Sequence, residues 1–291
     1  MKHILITGAG SFVGTAVEKH LCNQSDEYTV ETLEMRDPNW KNKDFSPFDA
    51  IFHVAGIAHS DMGTISAEKE MLYRAVNTDL TIEVAQKAKN EGVKQFIFMS
   101  SAIVYGDSAP IGKKKRISRE TVPMPANCYG DSKWQAELGL TSLQTDLFKV
   151  VILRPPMIYG AGCKGNFPTL EKMADKLPVF PKVENERSML YIGNLVEFVR
   201  LMIANEESGI YFPCNKEYSN TSELVKMIAD EKGKKLILVP GTSWILRCLS
   251  HFTGLVNKAF GNMSYCTEMG EYKQEYRLYS LRDSIKEIAK K

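Results

Sequence analysis

Short apolar runs alternate with longer amphipathic stretches through the first half of the chain. Ile4-Leu5-Ile6-Thr7 is a continuous apolar run ending in glycines, the pattern of a strand buried on both faces of a parallel sheet. Residues 14–22 continue as a helix, residues 29–34 read as a second strand and residues 51–56 as another. Residues 71–91 spell one long helix, with Leu72, Val76, Leu80 and Val84 at intervals of four and Gly92 as its stop. Residues 96–99 make a strand ending at Ser100-Ser101, residues 132–147 a helix, and residues 150–153 a strand halted by Pro155-Pro156. Between Glu34 and Ile51 there is room for a brief strand near Asp44-Phe45 but hardly for a crossover helix. This alternation predicts right-handed crossovers and a doubly wound parallel sheet.

After about residue 160 the pattern loosens into Gly-, Pro- and Lys-rich stretches, with helices over 195–205 and 221–231 and a strand over 236–239. The chain is therefore expected to divide into a dinucleotide-binding domain, residues 1–160 with 188–213 returning to it, and a smaller C-terminal substrate-binding lobe, residues 161–187 and 214–291. The fold class is α/β, Rossmann-like. Ile245, Leu249, Phe252, Val256 and Phe260 form an amphipathic stripe, read as packing within the smaller lobe, with a membrane- or partner-facing helix as the minority alternative.

Composition narrows the partners. Hydrophobic residues at 44% and charged residues at 25% suit a folded globular chain and exclude disorder as the theme. The formal net charge of +2 offers no electrostatic case for nucleic acid or for an anionic membrane. Lys113-Lys114-Lys115-Arg116, the one basic cluster, reads as a solvated loop. Six cysteines lie scattered without a CxxC pair, so no metal site is expected. With no signal-peptide pattern and no apolar run near the roughly 20 residues a bilayer requires, the expected location is a reducing cytoplasm.

The candidate chemistry begins at the first turn. Thr7-Gly8-Ala9-Gly10-Ser11-Phe12-Val13-Gly14 sits between the first strand and the first helix, where glycines let the backbone approach a pyrophosphate lying against free helix-start N–H groups. Glu34, ending the second strand, can accept the ribose hydroxyls of NAD and repel the 2′-phosphate of NADP; Arg36 could do the opposite, so NADP stays open. Tyr129 and Lys133 are four apart at a helix start and share a face. An ammonium beside a phenol lowers its pKa and makes it an acid/base for a sugar or alcohol hydroxyl. Ser101, at the carboxyl end of a strand, lies on the sheet edge where ligands bind. Cys128 lacks a paired histidine in the sequence and His53 reads as a satisfied core residue; His59 fits loop packing or a substrate contact equally well.

Together with the glycine turn, Ser100-Ser101-Ala102-Ile103-Val104-Tyr105-Gly106, Tyr129-Gly130-Asp131-Ser132-Lys133 and Leu153-Arg154-Pro155-Pro156-Met157-Ile158-Tyr159-Gly160 resemble the extended short-chain dehydrogenase/reductase family. The resemblance is strongest to its UDP-hexose 4-epimerases and UDP-4-keto-hexosamine 4-reductases, and it spans nearly the whole chain. It implies hydride transfer at C4 of a UDP-hexose or UDP-N-acetylhexosamine, with Ser101, Tyr129 and Lys133 as the catalytic set. The implied cofactor contacts are Gly8, Gly10, Ser11, Phe12, Val13, Gly14, Glu34, Asp44 and Phe45 near adenine, Ala55 and Gly56 as backbone lining, Asn77, Tyr129, Lys133 and Pro155. The implied substrate contacts are Ser101, with Asn166 and Arg187 on the diphosphate. The resemblance also suggests a UDP-sugar as partner and allows a homodimer.

Three departures stand out. Ser11 replaces the family's second spaced glycine, and Met157 replaces an asparagine that often meets substrate. The helix usually joining the third and fourth strands is missing, which favours an exchanging cofactor and hence a reductase. Ala102 and Ile103 replace the Asp-Glu pair of sugar 4,6-dehydratases, so dehydration is not expected.

Overall fold

In the computed structural model the opening apolar run forms β1 (Lys2–Thr7), with Ile4, Leu5 and Ile6 shut off from solvent. It pairs in parallel with β2 (Tyr28–Leu33) on one side and β3 (Ala50–His53) on the other. Beyond β3 lie β4 (Gln95–Met99), β5 (Lys149–Leu153) and β6 (Gly209–Tyr211), giving the all-parallel order β6-β5-β4-β3-β1-β2. The order changes direction at β1, so the carboxyl ends of β1 and β3, in register at Thr7 and His53, border the switch point of a doubly wound sheet. The described residues are 1–58, 66–242, 244, 246 and 254–290.

Local chemistry sets the helices that frame this edge. Ser11 caps α1 (Phe12–Cys22), its hydroxyl accepting from Gly14 N at 3.1 Å. α2 (Ala67–Tyr73) runs through a π-helical turn, Arg74–Asp79, into α3 (Leu80–Asn90), and Gly92 beyond it has φ 84°. Asn127 caps α4 (Cys128–Leu143), so the helix starts four residues before the expected 132 and takes in Tyr129.

The expected strand at Asp44-Phe45 does not form. Pro38 opens a short 3-10 helix, Pro38–Asn42, and the Asp44 carboxylate accepts from Ser46 N in a tight turn. Trp40, Phe45 and Phe48 then insert into the core, covering the sheet where a crossover helix would otherwise lie.

Two compact units result. The first holds residues 1–106, 122–155 and 195–213, with the whole six-stranded sheet. The second holds residues 107–121, 156–194 and 214–291. Residues 107–121, assigned to the first domain from sequence, join the second unit because Arg116–Ile117 pairs with Ser264–Tyr265 and Ala109 bridges Asn262. Residues 156–160 and 188–194 likewise belong there, through the strand pair Met157–Tyr159 and Met189–Tyr191. Inside this unit the Tyr159 hydroxyl meets Ser284 Oγ and receives a hydrogen bond from Asn215 Nδ2 at 2.9 Å. Of the C-terminal stripe, Ile245, Leu249 and Phe252 lie outside the described residues, as does His59; Phe260 is buried against Phe180.

Candidate active site

The first turn is built for close backbone approach. Gly8 has φ 94°, and a Cβ there would sit 2.7 Å from Ala55 N. A Cβ on Gly14 would meet Ser11 Oγ at 2.7 Å, so the serine in the family's glycine position occupies that space and caps α1. Gly10, at φ 72°, faces open space. Phe12 and Val13 stand in the first turn of α1, where backbone N–H groups have no carbonyl four residues back. With Ala55-Gly56 beside it, this cradle fits the pyrophosphate of a dinucleotide at a helix start.

At the end of β2 the Glu34 carboxylate is clasped by its neighbour. Arg36 Nε and Nη2 donate to it at 3.1 and 2.7 Å, and Arg36 N donates at 3.0 Å. These hydrogen bonds pull the Glu34 pKa down to about 2, leaving a carboxylate at any physiological pH. Asp44 and Phe45 belong elsewhere. Phe45 is fully buried, its N–H donates to Glu91 beyond the end of α3, and Asp44 serves its own turn, so neither reaches an adenine. Both lie near the edge from which the strands start, opposite the switch point.

Ser101, Tyr129 and Lys133 come together at the carboxyl end of β4. Ser101 follows the strand in extended backbone; its hydroxyl accepts from Ile103 N at 3.3 Å and lies near enough to the Tyr129 phenol to favour its ionised form. Lys133, one turn along α4, buries its ammonium, donates to Met99 O at 2.9 Å and lies over the Phe98 ring. A Cβ on Gly56 would stand 2.9 Å from Asn77 Oδ1 and 3.3 Å from Lys133 Nζ, so a side chain there would crowd both. Burial lowers the Lys133 pKa to about 8, with Glu137 one turn on opposing the fall.

The expected lowering of the tyrosine is not seen. Burial raises the Tyr129 pKa to about 12, partly offset by the nearby Ser101 hydroxyl and reinforced by Tyr73, whose ring is 6.0 Å away. Lys133 directs its ammonium to the Met99 carbonyl and is not among the groups that shift the phenol. At neutral pH Tyr129 therefore rests as a proton donor; holding a phenolate requires positive charge brought to it.

Asn77 is saturated in another role. Its Oδ1 accepts from Ile57 N at 2.9 Å, while Nδ2 donates to Ile57 O and Ser132 Oγ, both at 3.0 Å. Fully buried, it clamps the loop after β3 to the start of α4 and has no donor left for a cofactor. His53 is satisfied as expected: Thr81 donates to Asn77 O, so it accepts from His53 Nε2–H, and Thr7 donates to Nδ1 at 2.7 Å. Burial, aided by the Lys133 charge, drops its pKa to about 3.

Sequence reading missed the buried girder under this site. Ser100 donates to the Glu137 carboxylate, which also takes Arg154 Nε at 3.1 and 3.2 Å. Arg154 donates to the Tyr105 hydroxyl at 2.7 Å and stacks among Tyr105, Trp134 and Phe212. Ala102 N donates to Pro155 O and Ser100 N to Leu153 O, tying the strand end to β5. The available signal was a Glu and an Arg interrupting otherwise apolar positions of a helix and a strand end.

Asn166 and Arg187 lie in the second unit. Asn166 opens the helix Phe167–Lys176 without a side-chain cap bond. Arg187 bridges Ser219 and Met263 through its backbone; its guanidinium donates to Ala259 O at 3.2 Å and burial lowers its pKa.

The pattern of the NAD dependent epimerase/dehydratase family matches residues 4–212. A UDP-glucose 4-epimerase of Vibrio cholerae is 32% identical over 275 residues, 87% of this chain and 83% of that protein. An N-acetyl-alpha-D-glucosaminyl-diphospho-ditrans,octacis-undecaprenol 4-epimerase of Escherichia coli O157:H7 is 30% identical over 254 residues, 80% of this chain and 73% of that protein. Among solved structures, a UDP-glucuronic acid 4-epimerase of Bacillus cereus in complex with NAD superposes with a TM-score of 0.75 at 18% identity, covering 99% of this chain and 96% of that one. At that identity the likeness is one of fold.

Proposed function

The chain belongs to the NAD-dependent epimerase/dehydratase family, within the extended short-chain dehydrogenase/reductases, and from that premise we propose that it is a nucleotide-sugar 4-epimerase acting at C4 of a UDP-hexose or UDP-N-acetylhexosamine. NAD, the family's cofactor, supplies a hydride acceptor and donor at its nicotinamide C4. The turn from Gly8 to Gly14, Glu34, the Ala55-Gly56 backbone, Lys133 and Pro155 are the residues assigned to hold it.

The observation that carries the reading is the gathering of the Ser101 hydroxyl, the Tyr129 phenol and the buried Lys133 ammonium at the carboxyl end of β4, with Tyr129 and Lys133 one turn apart on α4. Tyr129 Oη exchanges a proton with the sugar 4-hydroxyl, and Ser101 Oγ orients that hydroxyl and favours the phenolate. The girder of Ser100, Glu137 and Arg154 keeps the strand end from shifting, so the proton path is short before substrate arrives. Asn166 and Arg187 are proposed as diphosphate contacts.

A second reading, a UDP-4-keto-6-deoxy-hexosamine 4-reductase, draws on the phenol held protonated by burial, since reduction of a ketone needs Tyr129 to donate once. One experiment addresses both. Purified protein incubated with UDP-glucose or UDP-N-acetylglucosamine and NAD should form the C4 epimer. Tyr129→Phe should lower kcat by about 10²–10⁴-fold while leaving NAD affinity within about twofold. Activity within threefold of wild type in that variant would remove the assignment. Turnover of a 4-keto sugar with NADH, without any epimerisation, would replace the first reading by the second.

A further inference from the structure

The second unit carries a two-stranded parallel sheet in which Val179–Pro181 pairs with Ile237–Val239, Val179 opposite Ile237 and Pro181 opposite Val239. Successive side chains of a strand point to opposite faces. The inner row is Phe180, buried against Phe260 at 5.7 Å, with Leu238 beside it. The outer row is Val179, Pro181, Ile237 and Val239, with Val179 51% and Ile237 65% exposed. Leu177 precedes the first strand. Trp244, 66% exposed, follows the second across a turn closed by the Thr242 hydroxyl on Val239 O. A wetted sheet face ordinarily bears polar side chains. Here, among the described residues, every large exposed hydrophobic of the second unit except Leu278 gathers on this face and its approaches.

The charge around it is net positive. Residues 175–184 and 231–244 hold five lysines against three carboxylates, Asp175, Glu184 and Glu231. Lys232 and Lys234 reach Asp175 at 3.1 and 3.2 Å, while Lys176, Lys182 and Lys235 are exposed at the rim. A tryptophan, branched apolar side chains and an excess of lysine over acid match the layered chemistry of a bilayer surface: acyl boundary, headgroup, phosphate. A second copy of this chain fits worse, since a two-fold contact through this face would set lysine rim against lysine rim.

We propose that the outer face of this strand pair, with Trp244, docks on an anionic phospholipid bilayer and holds the enzyme at the membrane surface. No helix among the described residues is long and apolar enough to cross a membrane, so the contact is with one leaflet. The whole-chain charge of +2 argues against an anionic membrane at the level of composition and hides this local imbalance. The proposal stands independently of the reaction assigned above.

The test is cosedimentation of the full chain with vesicles of phosphatidylcholine, with and without phosphatidylglycerol. Binding should be about tenfold or more stronger on the anionic vesicles and should weaken with added salt. Val179→Ser with Ile237→Ser should reduce it about tenfold or more. Lys176→Glu with Lys235→Glu should abolish the preference for phosphatidylglycerol. Vesicles should also blue-shift the tryptophan emission of the wild type, and Trp244→Phe should remove that shift. An unchanged melting temperature and an unchanged circular dichroism spectrum in solution certify that each variant is folded. Absence of wild-type binding, binding indifferent to both double variants, or a dimer that the Val179→Ser and Ile237→Ser changes dissociate would each overturn the proposal.

Discussion

At the scale of single residues, burial decides the ionisation of this site. His53 shows this most simply, because both ring nitrogens are satisfied by neutral hydroxyls and the ring is closed to solvent. The folded chain keeps it neutral down to about pH 3, whereas the unfolded chain takes the proton near 6.5. Between those values the unfolded state binds more protons, so the stability contributed by neutral His53 is complete above pH 6.5 and is lost as pH falls. The expected slope from this group is about 1.4 kcal/mol per pH unit. Urea denaturation from pH 7 to 4.5 should show His53→Gln less steeply acid-sensitive than wild type by roughly that amount; parallel curves would contradict the account. Glu34 presents the opposite case, an exposed carboxylate set by one partner. Removing it in Glu34→Ala frees Arg36 for a 2′-phosphate and should shift the NADP-to-NAD preference by roughly ten- to hundredfold in kcat/KM. A wild type that already prefers NADP tenfold would contradict the role given to Glu34.

At the scale of elements, what was legible in the sequence follows from which groups do the burying. The strands were readable because each is centred on a continuous buried apolar run, as in Ile4-Leu5-Ile6 and Phe96-Ile97-Phe98, with the buried polar Thr7, His53 and Gln95 at their ends. The helix before β4 was placed, but its buried face was misread. Leu72, expected inside, is about half exposed, while Tyr73, Asn77, Thr78 and Thr81 are buried. The π turn at Arg74–Asp79 rotates the helix partway along, and the side chains it turns inward satisfy neighbouring backbone rather than fill an apolar core. Hydrophobic periodicity cannot register a face of that kind. Similarly, Asp44-Phe45 looked like strand material because tertiary capture of Trp40, Phe45 and Phe48 leaves no local trace. Tyr129, Lys133, Ser101 and the glycine turn were readable because their spacing is set by helix and strand geometry. The two glycines of that turn provide a test at this scale. Gly10→Ala meets only the left-handed backbone cost of about 1–2 kcal/mol. Gly8→Ala adds a collision with the Ala55 backbone, about 1–3 kcal/mol more, and pries apart the loops that frame the cradle. Calorimetric titration with NAD should show binding largely kept in the first variant and lost in the second. Equal loss in both would mean that the contact between the loops is not what shapes the site.

At the scale of the whole molecule, the central claim is a chemistry: hydride leaves and returns at one sugar carbon while Tyr129 moves the hydroxyl proton. Neither Ala102 nor Ile103 can take a C5 proton or protonate a departing C6 hydroxyl, so the expected products include none that has lost water. Both statements are read by one measurement, proton NMR and mass spectrometry of the products formed from UDP-glucose with NAD in deuterium oxide. The account predicts the C4 epimer with its original hydrogen at C4, no deuterium there and no 4-keto-6-deoxy product. Deuterium at C4, which would signal proton abstraction from carbon, or enzyme-dependent dehydration would contradict it.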